Sequence, residues 1–305
     1  MPNDTISSLI DLLRSTCARE IRLQLDQAAA NDLPVLLYGE TGTGKDVWAS
    51  YLHSKKKEGP FISIHCADIP DTLIESQWFG YKKGAFTGAT TDHSGLWLNA
   101  KNGVLYLNRI DLLKTDIQSK LLRVIERKRF FPLNSNEEIS IDAQFVFSTD
   151  ENILEQVEAG QFRTDLYYRI SAFSIRIPPL RERKDDILPL LTHFASHSGV
   201  SVSLTSKTID TLLCHPWIGN IRELENLVHR CILSEGQLSD HVILSMLRQT
   251  SFITMIKSQE LSLSELETRY IKHLLQRHKN KAQVARILGI TRKTLYNKLK
   301  EYGKD

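Results

Sequence analysis

The segment Gly39-Glu40-Thr41-Gly42-Thr43-Gly44-Lys45 constrains this chain more than any other. It follows the apolar run Val35-Leu36-Leu37-Tyr38 and opens into Val47-Trp48-Ala49-Ser50-Tyr51-Leu52, a pattern that predicts a helix. A strand, a glycine loop and a helix N-terminus together make an anion cradle: backbone N–H groups and the helix dipole converge on one spot, and Lys45 adds a mobile positive charge. The segment therefore reads as a P-loop in its proper context. Its last position departs from the usual pattern, because Asp46 stands where a Ser or Thr hydroxyl would reach a magnesium ion.

The rest of the chain supplies a sheet for that loop. Phe61-Ile62-Ser63-Ile64-His65, Val104-Leu105-Tyr106-Leu107-Asn108, Ala143 to Thr149 and Phe173 to Ile177 are short apolar runs separated by helical patterns. That alternation predicts an α/β fold, a parallel sheet flanked by helices. In front of it, residues 1–30 are expected to hold one helix over 6–30, with Leu9, Leu13, Cys17 and Ile21 on its apolar face and no room for a sensory domain. Residues 31–178 form the nucleotide-binding subdomain, and Pro178-Pro179 closes its last strand. Residues 179–250 read as a helical lid, 251–262 as a linker and 263–305 as an all-α C-terminal domain.

Charge singles out that last domain. Gln276 to Asp305 carries nine Lys or Arg against Glu301 and Asp305, a net of +7 within a chain whose total is +3, so the remainder is mildly acidic. A basic tail on an acidic body fits a polyanion-binding module. Ser264-Glu265-Leu266-Glu267 has the form of a capping box opening a helix with Leu266, Tyr270 and Leu274 on one face. Ala282 to Leu288, then Gly289, then Thr291 as N-cap of Arg292 to Lys300, spell two short helices joined at a glycine, as in a helix-turn-helix. Thr291, Arg292, Lys293, Thr294, Tyr296, Asn297, Lys298 and Lys300 are the candidate DNA-binding residues, with Lys298 and Lys300 nearer phosphates.

Other classes are excluded more simply. No apolar run approaches the ~20 residues that cross a bilayer, and the first residues lack the basic start and apolar core of a secretory signal. The four cysteines are far apart and the ten histidines scattered, so no metal site is expected, and free thiols in a reducing cytoplasm are the natural reading.

Lys83-Gly84-Ala85-Phe86-Thr87-Gly88-Ala89, some forty residues after the P-loop, resembles the surface-loop signature of the bacterial sigma-54-dependent transcription activators, AAA+ proteins that remodel RNA polymerase holoenzyme. The resemblance runs from about residue 33 to the end. It implies that Gly84 to Ala89 contact sigma-54, with Phe86 as an aromatic anchor. Phe162 to Arg169 is similar to the family's arginine-finger segment, which implies that Arg163 and Arg169 act on a neighbour's nucleotide within a ring of six subunits. Pro178 to Arg183 is similar to the boundary before the lid, Trp217 to Leu224 to the lid motif in which Arg222 senses nucleotide, and the tail to the family's Fis-type helix-turn-helix. The implied cofactor is ATP, and the implied partners are upstream DNA sites, the sigma-54 holoenzyme, and copies of this chain or of an intact homologous subunit.

Departures from the family pattern gather at the hydrolytic end of the site. The family's second nucleotide motif ends in Asp-Glu, one residue holding magnesium and the other polarising the attacking water; here the strand ends Asn108-Arg109. An amide brings no negative charge to a hard cation, and a guanidinium accepts no proton, which leaves magnesium in question. His65 and Asp150 replace two asparagines of the family, and Asp111, two positions along a period-two strand, is the one candidate stand-in carboxylate. Phe131 to Ser135 replaces a glycine-bearing loop that moves with the Phe-Thr loop. The expected function is a DNA-bound regulator of sigma-54 transcription that binds ATP and hydrolyses it poorly; the alternative is a fully active activator ATPase.

Overall fold

The computed structural model describes residues 9–56, 59–200, 202–235, 238–247, 265, 267, 268, 270, 271, 274, 275 and 280–302. The chain forms two compact units, residues 1–239 and 240–305.

In the first unit the strands are β1 (Val35–Tyr38), β2 (Phe61–His65), β3 (Val104–Asn108), β4 (Arg129–Phe130), β5 (Ile139–Ser140), β6 (Gln144–Thr149) and β7 (Ser174–Arg176). Five of them make a sheet of order β2-β3-β6-β1-β7 in which every neighbouring pair is parallel, while β4 and β5 form a separate antiparallel pair. Strands buried on both faces read as continuous apolar runs, which is why the central ones were legible as sequence. Alternate residues serve two cores. Leu36, Leu105, Leu107, Phe145 and Phe147 face a cluster with Trp78, Trp97, Ile117 and Leu121; Val35, Leu37, Val104, Tyr106 and Val146 face one with Trp48, Tyr51 and Leu52.

The helices that position the site are α1 (Thr16–Ala30), α2 (Lys45–Lys55), α3 (Asp71–Phe79), α4 (Thr115–Arg127), α5 (Ile153–Glu158) and α6 (Thr164–Ile170). The single helix expected over 6–30 is broken. A helical turn at 9–12 ends before Ser15, whose hydroxyl caps α1 by accepting the Ala18 N–H (3.2 Å). The carboxylate of Asp186 holds the break open: it accepts the N–H groups of Arg14 and Ser15 (2.7 and 2.8 Å) and the Ser15 hydroxyl (2.7 Å). The buried stripe of α1 is accordingly Ala18, Ile21, Leu25 and Ala28; of the predicted face Leu9, Leu13, Cys17 and Ile21, only Ile21 is fully buried. Residues 1–8 lie outside the described residues.

Beyond β7 the pattern is helical, as expected: two 3-10 turns (Leu180–Glu182 and Lys184–Asp186) lead into α7 (Ile187–His197), α8 (Ser206–Cys214) and α9 (Asn220–Glu235). In the second unit, α10 (Lys281–Ile287) and α11 (Arg292–Tyr302) flank Gly289, whose φ of +67° suits the turn. Thr291 Oγ1 accepts the Thr294 N–H (3.1 Å) as the predicted N-cap, and Ile271, Leu274, Val284, Ala285 and Leu295 make a small core. Ile271 takes the buried place expected of Tyr270, which is 38% exposed. The linker 251–262, Ser264 and Leu266 lie outside the described residues. No described helix is long and apolar enough to cross a membrane.

Candidate nucleotide site

The turn from β1 into α2 is shaped by glycine. Gly42 and Gly44 have φ of +81° and +94°, and a Cβ on Gly42 would lie 2.5 Å from the Gly219 carbonyl. The lid therefore rests directly on the loop, and several contacts fasten it there. Ile221 N–H donates to Gly42 O (2.9 Å), Arg183 Nη2 to Thr43 O (2.6 Å) and the buried Asn220 Nδ2 to Thr41 O (3.1 Å). Glu40, a candidate phosphate-loop residue, turns its carboxylate to the lid, pairing with Arg181 and accepting from Asn220 Nδ2 (3.1 Å). The Arg181 hydrogen bonds hold its carboxyl below the usual range.

Lys45 is buried at the first position of α2, with Nζ donating to Gly39 O and Glu40 O (2.5 and 3.1 Å). Burial lowers its pKa, and Asp150 opposes that shift. Around it lies a cavity of about 310 Å³, lined on its polar side by residues 41–46, His65, Asn108, Arg109, Asp150, Arg183, Arg222 and Glu225, and on its apolar side by Leu9, Ile10, Leu13, Val47, Trp48, Leu190, Phe194 and Ile221. Arg183 is 2% exposed, and its Nε and Nη1 have no partner among the described residues. A glycine cradle, a buried ammonium, an under-satisfied guanidinium and an apolar flank suit a polyphosphate carrying a planar base.

The wall is poorly suited to a divalent cation. Asp46 Oδ1 already accepts from the Tyr106 hydroxyl (2.7 Å) and from Asn108 Nδ2 (3.0 Å), and Asn108 Oδ1 accepts from Ser148 Oγ (2.6 Å). The Arg109 guanidinium adds a positive charge to the same wall. A hard cation favours several anionic oxygens, and no cluster of three or more His, Cys, Asp or Glu among the described residues is placed to hold a metal ion.

The expected stand-in carboxylate is also unavailable. β3 ends at Asn108, and Arg109 takes a left-handed backbone (φ +62°), so the period-two alternation stops before Asp111. Asp111 lies in a 3-10 turn with its side chain 1% exposed, accepting from Arg109 Nε (3.0 and 3.1 Å) and Nη2 (2.7 Å). Asp111 thus faces Arg109 rather than the cavity. His65 pairs in register with Asn108 and also lines the cavity.

The remaining candidates are spread over the surface. Arg163 stands just before α6, pairs with Asp165 (2.7 Å) and donates to Ser119 Oγ (3.0 Å), while its N–H donates to the buried Gln118 (2.8 Å). Arg169 is exposed, and neither arginine lines the cavity of its own chain. Gly84 to Ala89 is closed by Gly84 N–H to Ala89 O (2.9 Å) and Ala89 N–H to Phe86 O (3.0 Å), with Phe86 48% exposed and edge-on to Tyr81. Its base is bonded to the Phe131–Ser135 segment through Lys82 N–H to Leu133 O (3.0 Å) and Leu133 N–H to Gly80 O (2.9 Å). Asn134 adopts the left-handed backbone (φ +58°) that glycine and asparagine favour. In the second unit Thr291, Arg292, Lys293, Tyr296 and Asn297 are exposed and Thr294 is half-buried. Lys298, expected at a phosphate, pairs with Glu267 (2.7 Å), and the Lys300 side chain lies outside the described residues.

Comparison with known proteins agrees with this arrangement. Residues 12–176 match the Sigma-54 interaction domain, 181–254 the AAA+ ATPase lid domain, and 262–302 the bacterial regulatory proteins of the Fis family. The chain is 36% identical over 309 residues to the putative uric acid sigma-54-dependent transcriptional regulator UacR of Escherichia coli, covering 93% of this chain and 52% of that protein. It is 37% identical over 299 residues to the C4-dicarboxylate transport transcriptional regulatory protein DctD of Pseudomonas aeruginosa, covering 95% and 63%. The chain thus spans between half and two thirds of the length of these relatives. Among solved structures, NtrX from Brucella abortus in complex with ATP superposes with a TM-score of 0.68 at 25% identity, over 95% of this chain and 68% of that one.

Proposed function

Because the chain belongs to the sigma-54-dependent transcriptional regulators, with an AAA+ domain, its lid and a Fis-type helix-turn-helix, we propose that it binds ATP at the Lys45 loop and hydrolyses it poorly or not at all while acting on sigma-54 transcription from bound DNA. The observation that carries this reading is the fate of the two positions after Leu107. Asn108 is engaged with Asp46 and Ser148, and Arg109 is locked to Asp111. Asn108 and Arg109 thus bring no carboxylate to the place of the family's general base, and loss of a general base removes about 10²–10⁴-fold of rate.

The other parts of the machine are retained. Lys45, Arg222 and the glycines hold the nucleotide, Phe86 at the tip of its loop meets the holoenzyme, and α11 enters the major groove with Arg292 and Lys293 outward. Arg163 and Arg169 reach a neighbouring subunit's nucleotide, so the chain works in a ring, with copies of itself or with an intact homologue. The domain limits are those of the sequence: nucleotide-binding subdomain to about residue 178, lid to about 250, DNA-binding domain from about 263.

A mixing experiment tests this. A relative with an intact Asp-Glu motif but both arginine fingers substituted is assayed for ATP turnover with increasing amounts of this chain. Turnover rising with added chain supports the reading, and rising no further when Arg163→Ala/Arg169→Ala is added attributes it to the fingers. No rise with the unaltered chain rejects the proposed trans role.

A further inference from the structure

Asp150 follows β6, at the end of the sheet that faces Lys45. One carboxylate oxygen lies 3.5 Å from Lys45 Nζ and 3.4 Å from Thr41 Oγ1; the other lies 3.2 Å from Arg109 Nη1. A single carboxylate therefore bridges the P-loop ammonium and the guanidinium that replaces the usual acidic residue. In a P-loop that ammonium is the group that meets the outer phosphates. We infer that Asp150 is a built-in anion standing in the place of a terminal phosphate, so that this site selects nucleoside diphosphates over triphosphates. The inference rests on the nucleotide-site reading above and refines it: ATP still enters the site, and ADP is held more tightly.

Three features carry it. First, the carboxylate is held from both sides: Lys45 is buried, and Arg109 is fixed by Asp111 through Nε and Nη2, leaving Nη1 toward Asp150. Second, a diphosphate reaches Lys45 only through its β-phosphate and leaves the Arg109–Asp150 arm of the bridge intact, whereas a γ-phosphate must either displace Asp150 from both cations or sit beside it, like charge against like. Third, the wall offers little to a divalent cation that would spread the extra charge, since Asp46 Oδ1 is taken by Tyr106 and Asn108, and Arg109 adds a positive charge. Discrimination by an unfavourable charge placed against one ligand is a general route to specificity. The consequence for a ring is a subunit that stays in one nucleotide state and offers its neighbour a constant interface.

The test is calorimetric titration of the full chain with ADP and with ATP, each with and without magnesium. ADP is expected to bind at least about tenfold tighter than ATP, and Asp150→Asn to bring the two within about threefold, chiefly by tightening ATP. Asp150→Ala is the second variant, and retained ADP binding by either shows that its site is folded. ATP binding as tightly as ADP to the unaltered chain overturns the inference, as does an affinity ratio that Asp150→Asn leaves unchanged. Binding of neither nucleotide to the unaltered chain overturns the nucleotide-site reading as well, which separates the two failures.

Discussion

The guanidinium of Arg109 closes on the carboxylate of Asp111 through three N–H···O contacts of 2.7–3.1 Å, with the Asp111 side chain 1% exposed. Two positions that would face a hydrolytic water thus face each other. Breaking a buried pair on one side leaves an uncompensated charge, so Arg109→Ala is expected to lower unfolding free energy by about 3 kcal/mol, read from urea midpoints. Adding Asp111→Asn to that variant removes the stranded charge and is expected to recover more than half of the loss.

Acid should loosen the lid from the phosphate loop. The Glu40 carboxyl is held below its ordinary pKa by hydrogen bonds from Arg181, against the opposing effect of burial. A depressed carboxyl contributes stability that is present above its unfolded pKa and is lost as pH falls through the folded one. The melting-temperature gap between the unaltered chain and Glu40→Gln is therefore expected to be full near neutrality and to close below about pH 4.

Phe86→Ala should separate partner binding from folding. The ring is 48% exposed and meets Tyr81 edge-on at 4.9 Å between centroids. Its removal is expected to change stability by less than about 1 kcal/mol, to leave nucleotide binding unaltered, and to abolish capture of sigma-54 holoenzyme in a binding assay.

For DNA, the outward residues of α11 should matter more than the paired one. Lys293→Ala is expected to reduce the slope of log K against log salt by about 0.9, the contribution of one phosphate contact. Lys298 is tied to Glu267, so Lys298→Ala is expected to reduce the slope by less in the same titration.

Much of this was readable before the fold was known, and the reasons are local. The glycine loop demands left-handed turns at Gly42 and Gly44, and the central strands are buried on both faces, so both leave signatures within a few residues. The helix-turn-helix is legible for the same reason: Gly289 and Thr291 mark its turn and cap. The misses depend on distance in the chain. Nothing near Ser15 announces that Asp186 breaks the first helix, and nothing near Thr43 or Glu40 announces Arg183, Arg181 or Asn220. Asp111 escapes a period-two reading because the left-handed Arg109 ends the alternation before it.

Steady-state ATP turnover by the lone chain decides whether Asn108 and Arg109 have cost the site its hydrolysis. It is measured beside a relative whose second motif reads Asp-Glu, and beside the Asn108→Asp/Arg109→Glu double variant. Turnover by the unaltered chain is expected to lie at least about 100-fold below that relative, whether or not the double variant recovers any. Turnover by the lone, unaltered chain within about threefold of the relative, a difference of less than 1 kcal/mol in barrier, would contradict it.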